Sequence, residues 1–132
     1  MGINILLDSS ENPGDVGTHA DYQGLAPYPE MMFSKDTLMF TAILSISTPR
    51  QGGGLRVWPK RHTADSIPNK TFFKTGYSDL DYTVGGVTII DSFFYHKVNG
   101  FVLDEAHPER MVGVIHFLYR KTPTGAFWEH WF

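Results

Sequence analysis

The sequence predicts an all-β domain, a sandwich or jelly roll with little or no helix. Three observations carry this. Glycine and proline, 13 and 8 of the 132 residues, interrupt the chain at short intervals. Between them lie runs rich in Val, Ile, Phe, Tyr and Thr, residues that suit a pleated, half-buried surface. No segment carries a helical repeat of apolar positions with capping residues at its ends. The length suits one domain over residues 1–132.

INILL, 3–7, is predicted as the first strand. TLMFTAILSIS, 37–47, is the clearest strand. There Leu38, Phe40, Ala42, Leu44 and Ile46 form one wholly apolar face, and Met39, Thr41, Ile43, Ser45 and Ser47 a mixed one. PRQGGG, 49–54, reads as a turn and LRVWP, 55–59, as a returning strand, so the two strands are expected to pair as a hairpin. Residues 60–82 are mostly polar and read as a long loop with a short strand near Phe72. GGVTIID, 85–91, is a turn followed by a strand, and FFYHKV, 93–98, is another short strand. ERMVGVIHFLYRK, 109–121, reads as a long strand buried on both faces for much of its length. The tail GAFWEHWF, 125–132, is too apolar to stand free in water and is expected to pack as a final strand.

Composition excludes several classes of function. A net charge of −3 with no basic run lacks the electrostatic footprint of a nucleic-acid binder. The chain has no cysteine, which removes disulfides, thiolate metal sites and a cysteine nucleophile. Its N-terminus lacks the features of a signal peptide, and no apolar run reaches the roughly 18 residues of a membrane span. The expectation is a soluble, cytoplasmic protein with no nucleic-acid or membrane partner. GGGL, 52–55, lacks the Lys and Ser/Thr of a phosphate loop, and no G-x-S-x-G elbow is present.

The chemistry begins at GTHADYQGL, 17–25. His19 and Asp21 stand two apart, and in extended backbone both project to one side. An imidazole nitrogen and a carboxylate oxygen aimed at one point can hold a divalent ion, but a tight site needs a third ligand. His96 is the candidate, since strand alternation places it on one face with Phe94 and Val98. Arg110 opens the strand of 109–121 and shares a face with Val112, Val114 and His116. An inward arginine needs an anion, from the protein or from a ligand carboxylate gripped by its planar fork.

THAD, the distant YHKV, and an arginine at the head of PERMVGVIHF together resemble the Fe(II)- and 2-oxoglutarate-dependent oxygenases. GGGLRVWP, 52–59, resembles the glycine-rich entry to a middle strand in many members. The resemblance covers about residues 17–120. It implies a double-stranded β-helix, a cupin-like jelly roll, carrying a facial triad of two histidines and one carboxylate. On that resemblance His19, Asp21 and His96 bind iron and form the catalytic centre, and Arg110 pairs with the far carboxylate of 2-oxoglutarate. With O2 the implied reaction is hydroxylation of a C–H bond, with release of succinate and CO2. The implied substrate is a small molecule or an amino-acid or peptide side chain.

Two features depart from the family pattern. Many members place Ser or Thr two residues after the arginine, and here that position is Val112; Thr41, Ser45 or a tyrosine is expected to substitute. The chain is also short, so the expectation is a minimal or N-terminally truncated core. A cupin-like metal enzyme that does not use 2-oxoglutarate, and a non-catalytic jelly roll that binds a sugar or a protein, are the alternatives.

The other histidines read more simply. His62 and His107 are expected in solvated loops, His116 in the core or the pocket wall, and His130 in the packed tail. Tyr22, Tyr28 and Trp58 are the aromatics expected nearest the metal. Arg120 and Lys121 are read as surface charges. The 60–82 loop is expected to control access, offering Lys60, Arg61, Lys70 and Lys74 to an anionic substrate. The apolar tail makes self-association plausible.

Overall fold

The computed structural model describes residues 2–6, 17–21, 25, 31, 34, 36–61 and 71–131, with the backbone alone at 2–6 and 131. The strands are β1 (Gly2–Leu6), β2 (Thr37–Ser47), β3 (Gln51–Gly52), β4 (Leu55–Arg61), β5 (Ser78–Leu80), β6 (Val87–Asp91), β7 (Phe94–Val98), β8 (Phe101–Val102), β9 (Arg110–Thr122) and β10 (Gly125–Trp131). All pairings are antiparallel. The larger sheet has the order β1-β9-β2-β6. β1 pairs with the first part of β9, and β10 with the remainder. The smaller sheet runs β5-β4-β7, and an antiparallel bridge from His19 to His96 adds a rung beyond β7.

In chain order the polypeptide starts in the large sheet at β1 and crosses to the small sheet at His19. It returns at β2, crosses again at β4 and β5, returns at β6, crosses at β7 and closes at β9. This repeated winding between two sheets is a jelly roll, the double-stranded β-helix course that the sequence predicts. The two sheets share a core of Ile43 from β2, Leu55 and Val57 from β4, Ile90 from β6 and Val112 from β9. A second cluster joins Leu25, Met31, Met39, Phe93 and Leu118. Each fully buried side chain of this kind contributes about 1.5–3 kcal/mol.

β2 has the predicted bounds, but it does not pair with β4. β2 lies between β9 and β6 in the large sheet, and β4 between β5 and β7 in the small one. The expected hairpin is a crossover instead. Its glycines turn the corner, with Gly52 and Gly53 at positive φ. β3 pairs there with β8 at the corner. A Cβ on Gly52 would sit 2.1 Å from the carbonyl oxygen of Gly100, so only glycine lets the two corner segments approach.

Residues 72–74 form a 3-10 turn rather than the expected strand, and the strand of this region is β5, at 78–80. The tail forms β10 as predicted, yet Phe127 and Trp128 remain 53% and 64% exposed. Among the described residues no helix is long and apolar enough to cross a membrane.

Candidate metal centre

His19 and His96 face each other as a hydrogen-bonded antiparallel pair. The His19 N–H donates to the His96 carbonyl at 2.9 Å, and the His96 N–H to the His19 carbonyl at 2.8 Å. Residues opposed in this way project to the same side, and the two imidazole centres lie 4.5 Å apart. Asp21, two residues after His19, turns its Oδ1 to both rings, 3.6 Å from His19 Nε2 and 3.5 Å from His96 Nε2. The three side chains offer ligand atoms that all lie within 4.8 Å of one another, a grouping that can hold a metal ion. The structure thus brings together the three residues that the sequence singled out as ligands.

Backbone carbonyls fix the form of both imidazoles. His19 Nδ1 lies 2.7 Å from the Gly17 carbonyl, and His96 Nδ1 lies 3.1 Å from the Phe94 carbonyl. A carbonyl only accepts, so each Nδ1 carries a proton, and in the neutral ring, the form that binds a metal, Nε2 presents its lone pair toward Asp21. Metal-ligating histidines are oriented in this way by a partner on the other ring nitrogen. Burial lowers the pKa of His96 and favours the neutral ring, although the Asp21 carboxylate and the Phe94 carbonyl oppose the shift.

Asp21 is held as firmly. Thr41, buried on β2, donates its hydroxyl to Asp21 Oδ2 at 2.5 Å, so Oδ1 is the oxygen left facing the imidazoles. That hydroxyl has one proton and two lone pairs. Ser92 Oγ at 2.7 Å and His116 Nδ1 at 3.1 Å occupy its remaining capacity. Both must therefore donate to Thr41, which places a proton on His116 Nδ1.

The cluster opens on a cavity of about 240 Å3 whose wall also holds Tyr82, Arg110 and His116. Arg110 begins β9 and is 2% exposed. Its Nε donates to the Gly53 carbonyl at 2.8 Å, and its guanidinium lies 5.1 Å from the centre of the Tyr82 ring. No carboxylate pairs with it among the described residues. Burial lowers its pKa, and nearby Tyr82 opposes that shift. A buried cation with only neutral partners is costly unless an anion reaches it.

The remaining candidates fall elsewhere. Trp58 is turned to the outer side of the small sheet, because it pairs with Tyr95 while its neighbour Val57 pairs with the inward His96. It packs edge-on to Phe73 at 5.3 Å and Tyr77 at 6.0 Å, not beside the metal cluster. Residues 71–77 therefore cover the back of the small sheet, not the cavity. Arg61 is occupied as well, donating to the Thr37 carbonyl and stacking on Phe93. Lys60 lies near the Phe72 ring. His107 pairs with Asp104 in an exposed turn, and Arg120 lines a different cavity beside Phe127 and Glu129. Tyr22, Tyr28, His62 and Lys70 lie outside the described residues.

Sequence reasoning missed Ser92 and gave Thr41 a different task. Strand parity could have found Ser92, since it continues the buried side of Ile90. Tyr82 was foreseen only as an unspecified tyrosine; it lies in a loop where no periodicity applies. No known protein-family profile and no curated protein matches the chain.

Proposed function

We propose that the chain is an Fe(II)- and 2-oxoglutarate-dependent oxygenase that hydroxylates a C–H bond of a small molecule or of an amino-acid or peptide side chain. One observation carries the reading. A cluster of two imidazoles and one carboxylate shares a cavity with a buried arginine that has no carboxylate partner among the described residues. The donor set fits a ferrous ion, which takes imidazole nitrogen and carboxylate oxygen as ligands and would also bind the cosubstrate and O2. A guanidinium with no carboxylate partner among the described residues fits a dicarboxylate, whose far end supplies the missing anion. Either feature alone is compatible with a simpler metal-binding jelly roll.

When bound, the ion and 2-oxoglutarate supply the oxidation: one O2 converts 2-oxoglutarate to succinate and CO2, and the substrate C–H to C–OH. The residues of this chain have distinct tasks. His19, His96 and Asp21 Oδ1 hold the ion. The Gly17 and Phe94 carbonyls keep the imidazoles in the binding tautomer, and Thr41 restrains the second oxygen of Asp21. Arg110 sets the register of the cosubstrate, a positioning effect that turns binding energy into orientation. Ile43, Leu55, Val98 and Val114 line the same cavity and reduce the water that competes for the reacting centre.

Anaerobic titration with Fe(II) and 2-oxoglutarate tests the reading through the visible charge-transfer band of the chelate. The wild type shows the band. His19→Ala abolishes it, and Arg110→Ala shifts it to at least tenfold higher 2-oxoglutarate, the order of one lost charge-assisted contact. A folded, iron-loaded wild type without the band would refute the proposal. A metal-dependent activity unaffected by Arg110→Ala would indicate a cupin-like enzyme instead.

A further inference from the structure

Val112 stands across the strand pair from Ser45, and its side chain offers no hydroxyl to a carboxylate at Arg110. The surrounding hydroxyls differ in what they have free. Thr41 is committed to Asp21, Ser92 and His116. Ser45 Oγ is buried without a partner, but Ser45 is not part of the cavity wall. Tyr82 meets both conditions. It lines the cavity beside Arg110, and its hydroxyl is buried with no hydrogen-bond partner among the described residues.

We propose that the Tyr82 hydroxyl is the second anchor for the far carboxylate of the dicarboxylate cosubstrate, working beside Arg110 where the strand residue Val112 cannot. This rests on the oxygenase reading of the site. A buried hydroxyl left unpartnered costs free energy, and a ligand carboxylate relieves that cost together with the one at Arg110. Burial raises the pKa of the phenol, with the Arg110 cation opposing. The group therefore stays protonated at neutral pH and has a proton to donate. The phenol is near enough to sense the guanidinium charge, yet it forms no hydrogen bond of acceptable geometry to it. Two donors lining one cavity suit an acceptor with two oxygens. The anchor comes from the segment between β5 and β6 and not from β9. Recognition of the far carboxylate is thus divided between two parts of the chain.

The test uses the full chain loaded anaerobically with Fe(II). Affinity is measured for 2-oxoglutarate and for 2-oxopentanoate, which has the same chain length but ends in a methyl group. Tyr82→Phe is expected to weaken 2-oxoglutarate about 10- to 100-fold, the range for a hydrogen bond to a charged group. Its affinity for 2-oxopentanoate and for Fe(II) should not change, a pattern that general structural damage does not produce. Ser45→Ala should leave both affinities as in the wild type. Wild-type binding of 2-oxoglutarate with no loss in Tyr82→Phe would overturn the assignment and leave the oxygenase reading standing. A loss shared equally by both ligands would also overturn it. A wild type that binds iron but no 2-oxoglutarate would overturn both.

Discussion

The two faces of β2 differ in the opposite sense to the usual rule. The buried face carries Thr37, Met39, Thr41, Ile43 and Ser45, and the outer face carries Leu38, Phe40, Ala42, Leu44 and Ile46. Leu38 and Ile46 at its ends are 39% and 37% exposed, whereas Thr41 is 2% exposed. Hydrophobicity alone would turn the strand over. A one-residue slip would bring the apolar set inward and send Thr41 outward. The observed register keeps Thr41 against Asp21, Ser92 and His116, with the Ser92 hydrogen bond buried and the other two partly buried. Site chemistry decides the inward face here, and the inner apolar contacts come from Met39 and Ile43.

The sharpest way to break this contrast is Thr41→Val, which keeps the shape and removes the hydroxyl. It removes the Thr41 oxygen from the hydrogen bonds of Ser92 and His116 and frees Asp21 Oδ2. Fe(II) affinity should fall about 10- to 100-fold, as for other changes to groups that orient metal ligands. Urea denaturation of the metal-free protein should show a loss of about 1–3 kcal/mol, the cost of unsatisfied buried groups. The matching change on the outer face is Ile89→Thr, at a side chain 66% exposed and opposite Ala42. It should alter stability by no more than about 0.5 kcal/mol and leave Fe(II) affinity unchanged.

Gly53→Ala tests how the inner face supports Arg110. Gly53 has a φ of 73°, and an added Cβ would lie 2.7 Å from Pro49 Cγ and 3.1 Å from Arg110 Cδ. The left-handed backbone alone costs an alanine roughly 1–2 kcal/mol. Stability should fall by at least that much in the same denaturation assay, and 2-oxoglutarate affinity should fall more than Fe(II) affinity.

The smallest effect is expected behind the small sheet. Arg56 grips Asp79 through two hydrogen bonds of 2.8 and 2.7 Å and holds its carboxyl down at about 2. A lowered folded-state pKa stabilises above the unfolded value of 3.8, and the contribution is lost as pH falls toward about 2. Asp79 is 43% exposed, so solvent screening limits the contribution to about 0.5 kcal/mol. Asp79→Asn should remove that part of the acid dependence in pH-stepped thermal melts and leave metal binding untouched.

Much of this was legible in the sequence. Alternation located β2, because a period-2 pattern reports a strand directly, and runs of β-branched and aromatic residues located β6, β7 and β9. The ligand set was legible for a similar reason: His19 and Asp21 share a side in extended backbone, and His96 sits at an inward position of β7. Pairing was less accessible. β2 and β4 are close in sequence yet belong to different sheets, and nothing local separates a crossover from a hairpin when glycines occupy the turn. Trp58 was misplaced because nearness along the chain says nothing about which face a bulged strand presents.

The reciprocal backbone bridge between His19 and His96 has a consequence for how the site is held together. Two of the three candidate ligands, His19 and Asp21, ride on a segment at the rim of the small sheet, and the third belongs to β7 within it. An ion bound by all three acts as a latch across that seam. Seating of the rim segment and occupancy by the ion then become linked equilibria, each strengthening the other by the same free energy. The candidate metal centre would in this sense also be a fastening, placed where, among the described residues, a single bridge joins the rim segment to β7.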